Sequence, residues 1–162
     1  MGYNGLIEVV KADDLSSFST LPLYSLGAKH HANGNEYVYV YNAASDSAIG
    51  TGKYAVVALT ATASSGYSVT VTNASQGGVF AGVAQNTIST GTYGWLMAKG
   101  ASLISTDSGE VSAATGVFLA LGTDGGFVAA GATFSTAPRH GVTLNSFITG
   151  ATSRARIFGS VY

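Results

Sequence analysis

The chain has 162 residues and a mass of 16.3 kDa, the size of one ordinary domain, with 7 Lys+Arg against 8 Asp+Glu and a net charge of −1. Charged residues make up 9% of it, against about 25% in an average soluble domain, which leaves no basic field for binding nucleic acid. No apolar run approaches the ~20 residues that span a bilayer, no basic segment precedes an apolar one at the start, and the absence of cysteine removes thiol catalysis, thiolate metal sites and disulfides.

The first 25 residues are expected to form an N-terminal arm with a short helical turn, and residues 26–162 a single β-rich domain. Leu6-Ile7-Glu8-Val9-Val10 is apolar and strand-prone. It reads equally as a first strand of the domain's own sheet or as an arm that adds a strand to a neighbour. Residues 12–18 carry an Asp suited to cap one or two helical turns. From there the period is two rather than 3.6. Glu36-Tyr37-Val38-Tyr39-Val40-Tyr41 alternates strictly, behind the turn signal Asn33-Gly34, and His30-His31 is assigned to the exposed turn. Tyr67–Thr72 alternates again, and shorter strands are expected at 54–60, 79–84, 93–98, 117–121, 126–130, 142–148 and 154–161, with a short turn at 87–91. Each is bounded by Gly, Asn, Asp or Ser, and the two prolines fall between strands. The fold class that follows is all-β, a compact β-sandwich or barrel-like domain with an extended N-terminal arm.

Residues suited to chemistry are sparse. There is no G-x-S-x-G elbow, and His30, His31 and His140 match no metal-ligand spacing. Adjacent strand residues point to opposite faces, so His30 and His31 would not share one ion. Asp107-Ser108-Gly109-Glu110 and Thr123-Asp124-Gly125-Gly126 read as hairpin turns with too few oxygen ligands for calcium. No enzyme activity, cofactor or metal site is expected. Trp95 is the only tryptophan. In a chain of small residues it is read first as a core anchor and second as a stacking platform for a ligand. Arg139, Arg154 and Arg156 crowd into the last quarter of the chain, either as possible interface charges or as solvated strand ends. So few charges would leave an isolated domain poorly soluble, which points to a surface covered by partner subunits.

Several stretches carry a resemblance. Leu26-Gly27-Ala28, Asn33-Gly34-Asn35-Glu36-Tyr37-Val38-Tyr39-Val40, Ile49–Val57, Gly82-Val83-Ala84-Gln85-Asn86 and Gly91-Thr92-Tyr93-Gly94-Trp95-Leu96-Met97-Ala98-Lys99-Gly100 follow a turn-and-strand order. That order resembles the head decoration (capsid cement) proteins of tailed bacteriophages, over about residues 26–131. The resemblance implies a β-tulip-type domain that forms a homotrimer on the exterior of an HK97-type capsid, at three-fold positions, and stabilises the expanded shell. The major capsid protein would be its partner and the host cytoplasm its place of synthesis, with neither nucleic acid nor membrane involved. Leu6, Ile7, Glu8, Val9 and Val10 stand where such proteins carry a capsid-binding arm. Arg139, Arg154 and Arg156 would face acidic capsid loops. The alternative is a head or tail fibre or other surface protein that binds host glycans.

Overall fold

The computed structural model describes residues 15, 17–43, 47–57, 68–70, 79–107, 114–122, 125–130, 139–146 and 152–159. The expected arm at Leu6–Val10 lies outside the described residues, as do most of the expected helical turn and the last three positions. Ten strands form one continuous sheet system, and no described residue is α-helical. The all-β reading therefore holds.

The strands are β1 (Lys29–Ala32), β2 (Asn35–Asn42), β3 (Tyr54–Val57), β4 (Ser68–Thr70), β5 (Val79–Ala84), β6 (Tyr93–Ser105), β7 (Phe118–Leu121), β8 (Phe127–Ala129), β9 (Gly141–Thr143) and β10 (Thr152–Ile157). β1 and β2 form a hairpin with Ala32 opposite Asn35. Asn33 (φ 51°) and Gly34 (φ 76°) make the turn between them, the mirror-image geometry that matches the twist of the flanking strands. This corrects the turn assignment of His30 and His31. Both lie in β1, paired with Tyr37 and Glu36, because a two-residue turn needs a partner strand directly before it.

Pairing runs β2–β4–β3–β5–β6 and then β6 back to β2, closing a five-stranded barrel in which only β2–β4 is parallel. Its inward residues are small: Val38, Val40, Ala55, Ala81 and Leu96 form one buried cluster with Ile49, Ala84 and Ile88. A ring of five strands has little interior, which is why Ala and Val fill it. Strands β10, β9, β7 and β8 continue as a second sheet from the far half of β6. Between barrel and second sheet lies the other core cluster, where Tyr54, Val56, Phe80 and Val83 meet Ile104, Leu119, Phe127, Ala155 and Ile157. The Tyr54 hydroxyl reaches across to the Gly122 carbonyl at 2.5 Å, and the turn before β3 is stitched to β6 by Ser105 N–H to Gly52 O.

β6 serves both halves. Residues Tyr93–Lys99 pair with β2, and Gly100–Ser105 pair with β10. At the change-over Gly100 has φ 128°, and a Cβ there would run into the Asn35 side chain, whose carbonyl accepts the Ala101 N–H at 3.1 Å. Only glycine adopts that backbone without strain. Gly100→Ala is expected to lower unfolding stability by about 2 kcal/mol or more, measured by urea denaturation, and to destabilise both halves together.

Candidate functional site

Two surfaces concentrate the side chains able to recognise something. The first is the outer face of the barrel at β2 and β6. Period-two alternation sends Val38 and Val40 inward and Tyr37, Tyr39 and Tyr41 outward, opposite Met97, Trp95 and Tyr93. Tyr39 and Trp95 sit 5.0 Å apart between ring centroids, Tyr41 and Tyr93 4.7 Å. Residues 17–26 lie over this ladder as a strap. Ser19 exchanges two backbone hydrogen bonds with Tyr93, Leu23 N–H donates to the Tyr39 hydroxyl at 3.1 Å, and the Tyr24 ring packs on Tyr39 and Trp95. His30 closes the far side of Trp95.

The structure thus places Trp95 under cover, 4% exposed among aromatic rings. Its indole N–H has no hydrogen-bond partner among the described residues, so its packing there is that of an apolar body. No open stacking platform exists at that ring. The strap itself turns Phe18 (56% exposed), Leu21 (69%) and Leu23 (51%) to solvent.

The second surface is the outer face of the second sheet. Along β10, Ser153, Ala155 and Ile157 point inward and Thr152, Arg154 and Arg156 outward. Register carries the pattern sideways: Arg154 lies between Leu103 of β6 and Leu144, whose N–H donates to the Arg154 carbonyl, and Arg156 lies between Ala101 and Val142. Val142 in turn faces Phe118. The Arg139 guanidinium stands over the Phe118 ring at 4.4 Å from its centroid, a cation–π contact. All three arginines of the chain, distant in sequence by up to 17 positions, share one sheet face with the exposed Leu103, Phe118 and Leu144. None of them has an ion-pair partner among the described residues. The C-terminal strand pairs within its own subunit, with β6 and β9.

Sequence reasoning singled out the arginines but missed Leu103, Phe118 and Leu144. The alternation Thr-Ser-Arg-Ala-Arg-Ile was the available signal for an exposed arginine row, whereas its apolar neighbours come from three other segments. Asp107 is buried, with its N–H donating to the Phe127 carbonyl.

No protein-family model and no curated protein matches the sequence. Among solved structures, the fold is similar to the crystal structure of the N base of head fibre gp8.5 in bacteriophage phi29. The TM-score is 0.52 at 13% identity, over 78% of this chain and 97% of that one. The likeness is one of fold.

Next to Arg139 the chain turns inward. His140 packs on the Phe80 ring at 4.8 Å, and its carbonyl accepts the Phe158 N–H. Its Nδ1 is buried without a partner among the described residues, and burial holds its pKa below the usual histidine value of 6.5. The native state therefore favours the neutral ring, and the unfolded chain takes up a proton first. Stability is full above about pH 6.5 and falls as pH drops below it, towards the lowered native pKa. His140→Gln is expected to flatten that slope, read from thermal unfolding between about pH 7.5 and 5.

Proposed function

We propose that this protein is a non-enzymatic structural component of a tailed-phage virion, seated on the exterior of the head after synthesis in the host cytoplasm. The observation that carries the reading is the second-sheet face, where three arginines and three exposed apolar side chains meet with no carboxylate paired to them among the described residues. Such a face suits docking on an acidic protein surface: the apolar groups supply contact area, and the arginines supply fork-shaped donors and register. The fold's likeness to a head-fibre base lends support.

In this reading the partner is the major capsid protein at three-fold positions of the expanded shell, bound by a homotrimer. Trimer symmetry turns three weak contacts into one durable attachment. Leu6–Val10 would add main-chain pairing to a capsid strand. The surface takes up neither nucleic acid nor membrane, and no cofactor is needed. Binding of host glycans, as by a fibre, is the second reading. It draws on the same fold likeness but has less behind it, because Tyr39 and Trp95 are covered by the strap.

The test is binding to expanded shells that lack this protein. Wild type is expected to bind, to raise the temperature at which the shells rupture, and to dissociate progressively as salt rises from about 0.05 to about 0.5 M. Arg154→Glu with Arg156→Glu is expected to cut shell occupancy at least tenfold while leaving thermal unfolding of the free protein unchanged. Wild-type protein that stays monomeric and ignores such shells would sink the proposal.

A further inference from the structure

The β1–β2 hairpin ends in Asn33-Gly34, and both residues are exposed. An asparagine followed by glycine is open to attack by its own backbone, because the nitrogen that must reach the side-chain amide has no neighbouring Cβ in its way. Nothing shields that approach here. A Cβ built on Gly34 would meet no atom within 4 Å, and the Gly34 N–H has no hydrogen-bond partner among the described residues. β1 ends the strand order and is paired to β2, so the tip is held by that ladder.

The other described asparagines lack one or more of these features. Asn42 is fully buried, and its side chain donates to the Ser47 and Ile88 carbonyls. The Asn35 side-chain carbonyl accepts the Ala101 N–H, and Glu36 follows it in β2. Asn86 and Asn145 are exposed, but Thr87 and Ser146 come after them.

We propose that Asn33-Gly34 is a site of spontaneous covalent modification, and that the change is transmitted to the point where β6 passes from the barrel to the second sheet. Solvent hydroxide takes the Gly34 amide proton, and the nitrogen attacks Asn33 Cγ. A new C–N bond closes a cyclic imide, the Cγ–Nδ2 bond breaks, and ammonia leaves with a proton from water. A further water opens the imide. Where it adds to the main-chain carbonyl, the chain afterwards runs through Cβ and Cγ. The backbone is then one carbon longer, with a carboxylate in place of a neutral amide. A two-residue turn with φ of 51° and 76° has no slack for that carbon, so the pairing of Ala32 with Asn35 is lost. Asn35 then releases the Ala101 N–H, next to Gly100, whose backbone lies against the Asn35 side chain.

The test ages the full chain in warm, mildly alkaline buffer and maps its peptides by mass spectrometry. Conversion at Asn33 is expected to exceed that at Asn86 and Asn145 at least tenfold, and the product to be labelled by a methyltransferase specific for isoaspartyl carboxylates. Peptide mapping separates this site from Asn4-Gly5, the other Asn-Gly pair of the sequence. In the modified protein the Ala101 amide is expected to exchange hydrogen at least tenfold faster. Asn33→Gly keeps a pair suited to the same turn and removes the reacting amide, so its Ala101 exchange is expected to stay constant with age. Asn33→Asp carries the charge on an ordinary backbone, and when fresh it is expected to exchange as fresh wild type does. Conversion at Asn33 no greater than at Asn86 and Asn145 would overturn the site. Conversion that leaves Ala101 exchange unchanged, or fresh Asn33→Asp that exchanges as fast as the modified protein, would overturn transmission through the lengthened backbone.

Discussion

The architecture depends on one strand being continuous. β6 runs for 13 residues from the barrel into the second sheet, and its two halves obey different burial rules. Around Trp95, Leu96 and Met97 both faces are buried, one by the barrel interior and one by the aromatic ladder with its strap. From Ala101 to Ile104 exposed and buried side chains alternate. At the same point its pairing partner changes from β2 to β10. Gly100, at a φ closed to other residues without strain, sits where that happens.

Because β6 is shared, the two halves cannot move independently. The core between them is bounded by β3 and β5 on one side and by β6, β7, β8 and β10 on the other. Backbone hydrogen bonds from Ser105 N–H to the Gly52 carbonyl and from Tyr54 N–H to the Gly125 carbonyl tie one half to the other. Gln85 adds a side-chain clamp, donating to Ser102 Oγ at 2.8 Å and accepting the Leu103 N–H at 3.3 Å. The strap and the arginine row are therefore held in a fixed relation. A rigid spacing of this kind is what simultaneous contact with several neighbours requires.

The scarcity of charge takes on a different meaning once its placement is known. The arginines are not dispersed over a neutral surface. All three occupy one face, beside Leu103, Phe118 and Leu144. The Lys29–Glu36 ion pair stands beside Lys99, which lies opposite Glu36 in the β2–β6 register. Among the described residues the only other charged side chains are Lys53 and Asp107, so over that part of the molecule ionic attraction acts at a few places instead of being averaged.

Much of this was legible in the residues alone. Alternation in Glu36–Tyr41 marked β2, and Asn33-Gly34 marked a hairpin turn whose local φ demands few other residues satisfy. Those signals are carried by neighbours in sequence. Other features were invisible because they belong to pairs far apart in the chain. β1 was overlooked because Lys-His-His-Ala has little strand character of its own and becomes a strand only against β2. Ala101–Ser105 was not assigned to β6, since Gly100 reads locally as a terminator, and it extends only because β10 supplies a partner. Sequence by itself determined the all-β class, the principal turns and the poverty of charge, all of them set by local backbone preference and composition. Tertiary structure alone decided that the ring closes, that Trp95 is covered and that Arg139 joins the two arginines of β10 on one face, because register between distant strands is set by which side chains can be buried together.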